Sequence, residues 1–114
     1  MEISDIYVHD GKLLRVIEDL EQEKLRMAVL LPANPKSDEL VPRLLIFEGV
    51  HGYQIFEGRV EGCPTMLDLS VIEKSGDTSR VRLDTNHGYR EFYCRSARVC
   101  DPKLAAWPDT SGML

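Results

Sequence analysis

The chain has 114 residues, 43% of them apolar and 29% charged, and a net charge of −5 from 19 acids and 14 bases. This excludes a disordered chain, a collagen-like repeat and a disulfide-stapled miniature. A chain of this length hides roughly two-thirds of its unfolded surface and needs no staple. The acidic total also argues against a nucleic-acid surface, which needs cations facing phosphates.

In chain order, residues 3–8 are predicted as a short first strand and His9-Asp10-Gly11 as a turn. Residues 12–19 follow as a strand, with Leu14 and Val16 on one face and Leu13, Arg15 and Ile17 on the other. Glu21-Gln22-Glu23 reverses the chain. In residues 24–31, Leu25, Met27, Val29 and Leu31 recur at period two, which places all four on one face of a strand. A helix across 13–31 would align Leu13, Ile17 and Leu20, but β-branched Val16 and Ile17 and the strict alternation favour strand-turn-strand.

Residues 32–42 hold three prolines and read as the longest loop. Residues 43–48 are apolar nearly throughout, as for a central strand. Gly49, Gly52 and Gly58 punctuate the chain around residues 53–56. Residues 65–73 are expected to turn Leu67, Leu69 and Val71 inward, with Asp68 and Ser70 outward. After a turn at Ser75-Gly76-Asp77, residues 79–85 alternate Val81 and Leu83 against Arg80 and Arg82. Asn86-His87-Gly88 is a further turn, and residues 89–99 read as one last long strand. Asp101-Pro102 is an N-cap and first-turn proline for a helical turn over 103–107, with Trp107 laid on the sheet as a lid.

Seven or eight strands with short connections and no long helix predict an all-β fold, an antiparallel β-sandwich or small barrel. The expected organisation is one β domain over 1–100 and a tail over 101–114. Residues 1–5 lack a basic segment leading into an apolar run, and apolar runs such as 28–31 are too short to span a bilayer. A cytoplasmic chain away from membranes is expected. Its cysteines, Cys63, Cys94 and Cys100, form no C-x-x-C and read as packing residues. On one continuous strand Cys94 and Cys100 would stand about 20 Å apart, too far to bridge.

Two segments echo each other at an offset of 36: His51-Gly52-Tyr53-Gln54-Ile55-Phe56-Glu57-Gly58-Arg59 and His87-Gly88-Tyr89-Arg90-Glu91-Phe92-Tyr93-Cys94-Arg95. Each reads as a His-Gly turn followed by a strand opened by Tyr. The three histidines, His9, His51 and His87, all fall at predicted turns. No H-E-x-x-H, H-x-H or clustered carboxylates accompany them, so no metal and no cofactor is expected. No G-x-S-x-G elbow or phosphate loop is present, and no catalytic residue is singled out.

The aromatic and basic residues suit binding better. Alternation puts Tyr89, Glu91 and Tyr93 on one face and Arg90, Phe92 and Cys94 on the other, one of them core. Were the tyrosine face wet, Tyr89 and Tyr93, flanked by Arg82 or Arg95 and joined by Tyr53, would form the contact patch, Tyr and Arg being frequent hot-spot residues.

The run His9-Asp10-Gly11-Lys12-Leu13-Leu14-Arg15-Val16, the period-two strand after it, and Leu45-Ile46-Phe47-Glu48-Gly49-Val50 together resemble small bacterial all-β domains of unknown function, over residues 6–50. The resemblance carries no catalytic residue. In size and charge the chain is also similar to small acidic immunity proteins that neutralise toxins, often basic nucleases. The expectation is a non-enzymatic domain that binds a protein partner or itself, steered by the acidic N-terminal region. Residues 1–25 hold seven acids against three bases. The alternatives are a small-molecule or carbohydrate-binding module, with a pocket of tyrosines and arginine, and an enzyme using His87 or His51 as general base.

Overall fold

The computed structural model describes residues 2–59 and 61–102. Eight strands build it: β1 (Lys12–Asp19), β2 (Lys24–Pro32), β3 (Leu40–Glu48), β4 (His51–Glu57), β5 (Met66–Ser75), β6 (Thr78–Thr85), β7 (Gly88–Cys94) and β8 (Ser96–Cys100). They form two antiparallel four-stranded sheets, ordered β1-β2-β3-β8 and β4-β7-β6-β5. The fold is all-β as expected, and of the two forms expected, sandwich or small barrel, it is the sandwich. Each half of the chain is a three-stranded meander that lends its fourth strand to the other sheet, β4 joining β7 and β8 joining β3.

Alternation builds the core. Leu25, Met27, Val29 and Leu31 of β2 are all buried, as are Leu45 and Phe47 of β3. Opposite them lie Val81 and Leu83 of β6 and Phe92 and Cys94 of β7. Each such side chain contributes ~1.5–3 kcal/mol by leaving water.

Two bulges shift which residues face in. Between Leu13 and Arg15 the register slips, so Leu13 and Val16 share the inner face and Leu14 is pushed out to solvent. A second slip, between Met66 and Asp68, puts Met66 inside and Leu67 outside. Both correct the simple period-two reading, since one extra residue exchanges the faces of a strand.

The N-terminal segment also departs from expectation. Residues 3–5 form a 3₁₀ turn, Ile3–Asp5, rather than a strand. The Asp5 carboxylate accepts the Glu2 backbone N–H at 3.1 Å, closing the turn. Ile3, Ile6 and Val8 are nonetheless buried in the core. The proline segment is shorter than it reads, because Pro32 ends β2 and Pro42 lies within β3. Among the described residues β8 pairs with β3 only between Leu44 and Glu48, so Pro42 has a strand on one side alone, where a missing N–H is tolerated.

Residues 89–99 are not one strand. The chain leaves the second sheet after Cys94 and enters the first at Ser96. The Arg95 backbone N–H donates to the Glu48 carbonyl at 2.8 Å, at the corner where β3 turns into β4. Gly49 makes that corner possible. Its φ is +68°, and a Cβ there would stand 2.3 Å from Arg95 Nε. Diagonally opposite, Leu13 N–H donates to the Pro64 carbonyl at 3.0 Å and Met66 N–H to the Gly11 carbonyl at 2.8 Å, tying the two sheets together. The predicted helical turn over 103–107 and Trp107 lie outside the described residues.

Candidate functional site

Period two and the β6–β7 register turn Tyr89, Glu91 and Tyr93 to the outer face of the second sheet, opposite Asp84, Arg82 and Arg80. β4 adds Phe56, Gln54 and His51 to the same three rows. The rings of Phe56 and Tyr89 stack with centroids 4.9 Å apart, and the Arg82 guanidinium lies 3.9 Å over the Tyr89 ring. At the other end His51 stacks on Tyr93, centroids 4.9 Å apart and planes 7° from parallel. Arg80 approaches that tyrosine at 6.0 Å. Two aromatic stacks therefore stand on one sheet face, each with an arginine beside its tyrosine. A guanidinium over a ring face is drawn by the ring's quadrupole, by about 0.5–1 kcal/mol at an exposed site.

Carboxylates hold both arginines. Arg82 Nε donates to Asp84 at 2.9 Å, and this hydrogen bond raises the guanidinium's already high pKa. Arg80 reaches the largely buried Glu91 carboxylate at 2.9 Å and Glu73 at 3.9 Å. Asp68 of β5, opposite Asp84, completes the face. Four carboxylates against two guanidiniums leave it acidic.

The inner face of the same sheet carries a second constellation. Arg90 is opposed by Leu83, so its side chain points inward. Its Nε and Nη2 donate to the two oxygens of Glu57 at 3.0 and 2.8 Å, and its Nη1 donates to Tyr53 Oη at 2.8 Å. Thr85 Oγ1 donates to Glu57 at 2.8 Å and accepts the His87 backbone N–H at 3.2 Å. The Glu57 side chain is 3% exposed and that of Arg90 12%. Burial would raise the Glu57 carboxyl, but the bonds from Arg90 and Thr85 outweigh it and hold the group below its ordinary value. Burial pushes the Tyr53 phenol up. This fork pins β4 to β7 across the end of the core. Gly88 makes room for it, since at φ +146° a Cβ would lie 2.1 Å from the Phe56 carbonyl.

The five residues singled out from the sequence thus separate. Tyr89, Tyr93 and Arg82 come together on the outer face. Tyr53 is half-buried on the inner side, bonded to Arg90. Arg95 sits at the corner over Gly49, in neither group. Phe56 and Arg80 join the outer face without having been singled out, and His51, named only as a general base, joins it by stacking on Tyr93. The signal for His51 and Phe56 was pairing with β7, which no local pattern states. Arg90 had a legible signal, a charge alternating with Phe92 and Cys94 on one face.

The echo at offset 36 falls on β4 and β7, which are each other's antiparallel neighbours. His51 therefore opposes Tyr93, at the far end of the pair from His87. His51 stands in a strand beside a bulge, not in a turn, whereas His87 is in the β6–β7 turn. His9 Nδ1 lies 3.0 Å from the Leu67 carbonyl. Among the described residues no three His, Cys, Asp or Glu side chains converge as metal ligands. None of the helices described is long and apolar enough to cross a membrane. Cys94 is buried and Cys100 half-buried, but Cys63 is exposed and is not a packing residue. An open groove of about 300 Å³ runs between Tyr7, Pro32, Pro35 and Arg43, away from both constellations. Comparison of the chain with protein-family models, curated proteins and solved structures finds no match in any of the three.

Proposed function

We propose that the chain is a non-enzymatic protein-binding domain whose contact surface is the outer face of the second sheet, and that its partner is a basic protein. Neutralisation of a basic toxin, in the manner of an immunity protein, is one concrete form of this role. The observation that carries the reading is the Phe56–Tyr89–Arg82 stack. Tyrosine and arginine supply large contact areas and directed hydrogen bonds, and they dominate binding energy in many interfaces. Here the rings are already held against each other, so less side-chain freedom is lost on docking. The acidic balance of the face, within a chain of net charge −5, favours a cationic partner and speeds its approach.

The buried ionic cluster does not compete with this reading. Glu57, Arg90, Tyr53 and Thr85 satisfy one another, and their chemistry is used in holding β4.

The test is capture from a lysate of the native cells, with Tyr89→Ala beside the wild type. The wild type is expected to retain one basic protein at stoichiometric levels. Loss of a central anchor costs about 2 kcal/mol, so Tyr89→Ala should weaken capture roughly 30-fold. No retained protein at moderate salt, or retention indifferent to Tyr89→Ala, overturns the proposal.

A further inference from the structure

Sheets in soluble proteins defend their edges against pairing with other chains, using charges, prolines, bulges or cover. Among the described residues, three of the four sheet edges are defended. β1 is bulged at Leu14 and carries Lys12, Arg15 and Glu18. β5 holds two bulges with Glu73 and Lys74. β8 is five residues long and includes Arg98. β4 differs. Among the described residues it pairs with β7 alone, and beyond its one irregularity, between His51 and Gln54, it runs regularly to Glu57. It contains no lysine, arginine or proline. Ile55 is 53% exposed and Phe56 46% exposed on it. Its one carboxylate, Glu57, is turned inward and neutralised by Arg90 at 2.8 Å.

We propose that this edge pairs with the β4 edge of a second copy of the chain, joining two four-stranded sheets into one of eight strands. Self-pairing suits the strand better than the rest of the acidic surface does, because no uncompensated charge lies on it. The register follows from side-chain parity. In an antiparallel two-fold pair, residues facing each other must share a sheet face, so the dyad passes through a residue. A dyad at Phe56 would set Ile55 against the copy's Glu57. A dyad at Gln54 would draw Gly52 and Tyr53 into the ladder, where the bulge interrupts it. A dyad at Ile55 sets Ile55 against Ile55, Gln54 against Phe56 and Tyr53 against Glu57, drawing in one residue of the irregular stretch where the Gln54 dyad draws in two. It also brings the Phe56–Tyr89–Arg82 rows of the two copies onto one continuous outer face.

The experiment is sedimentation equilibrium of the full chain in reducing buffer from micromolar to millimolar concentration. A concentration-dependent dimer is expected. Ile55→Lys places two like charges on the dyad and should weaken the dimer by roughly tenfold or more. The substituted position is solvent-exposed, and a circular dichroism spectrum checks that the fold is kept. Ile55 opposes Arg90, off the outer-face rows of Phe56, Gln54 and His51, so Ile55→Lys leaves those rows in place and separates failure here from failure of the outer-face reading. As a second probe, Ile55→Cys in a Cys63→Ser background should be joined into covalent dimers by a short bismaleimide. Leu67→Cys in the same background, exposed on β5, should not. A monomer throughout the range, which would leave the edge to a foreign strand, overturns the proposal. So does a dimer indifferent to Ile55→Lys, or cross-linking at position 67 as ready as at 55.

Discussion

The rings of Phe47 in β3 and Phe92 in β7 meet edge to face, with centroids 4.8 Å apart and planes at 70°. Each sheet contributes one ring, and both side chains are fully buried. The contact therefore joins the two layers rather than neighbours within one layer. Truncating either ring leaves a cavity between sheets that cannot easily collapse. Phe92→Ala should lower the unfolding free energy by ~3–5 kcal/mol. A cycle with Phe47→Leu, Phe92→Leu and the double variant should return a coupling of about 1 kcal/mol. Urea denaturation measures both quantities, and strictly additive single variants would contradict the pairing.

The Glu57–Arg90 fork gives a stability signal with a definite pH direction. The Glu57 carboxyl is held below its ordinary value of 4.5 in the folded chain. Its ionised form therefore stabilises the fold above the unfolded pKa, and that contribution is lost as pH falls through the folded value. Glu57→Gln leaves the Arg90 guanidinium buried without its anion and should cost ~3 kcal/mol at neutral pH. The gap between wild type and variant should narrow below about pH 4.5. Denaturant titrations across the acid range would show it. A gap of constant size from neutral pH to pH 3 would mean that the fork is not the source.

The cysteines should divide by burial. Burial pushes the Cys94 thiol up to about 11. At pH 8 almost none of it is thiolate, and no reagent reaches it in the folded chain. Cys63 is exposed on the segment before β5. A maleimide added to native protein should label Cys63 within the first phase and Cys94 only after denaturant is added. Mass spectrometry of peptide fragments distinguishes the two. Equal labelling of both in native buffer would place Cys94 outside the core.

Much of the layout was legible from residue spacing. The inward set of β2 and the opposed faces of β6 were written in period two, as was the division of β7 into a Tyr-Glu-Tyr face and an Arg-Phe-Cys face. Which of the two β7 faces is wet was not, because both mix apolar and charged residues. Arg90 decides the matter only once Glu57 and Tyr53 are brought to it from β4, more than thirty residues away. The stack of Phe56 on Tyr89 was hidden for the same reason. Stacking needs a register between strands, and a register is not a property of either strand alone.

Alternation of polar and apolar side chains is local, and from it the chain alone settled that extended segments stack around a shared apolar interior. The three-dimensional arrangement settled where that alternation slips, at Leu14 and Leu67, and where the last long run folds over, at Arg95. Slips and corners arise where a backbone hydrogen bond to a distant strand, such as Arg95 to Glu48 or Met66 to Gly11, stabilises more than continued regularity would. That comparison can be made only once both partners are in place.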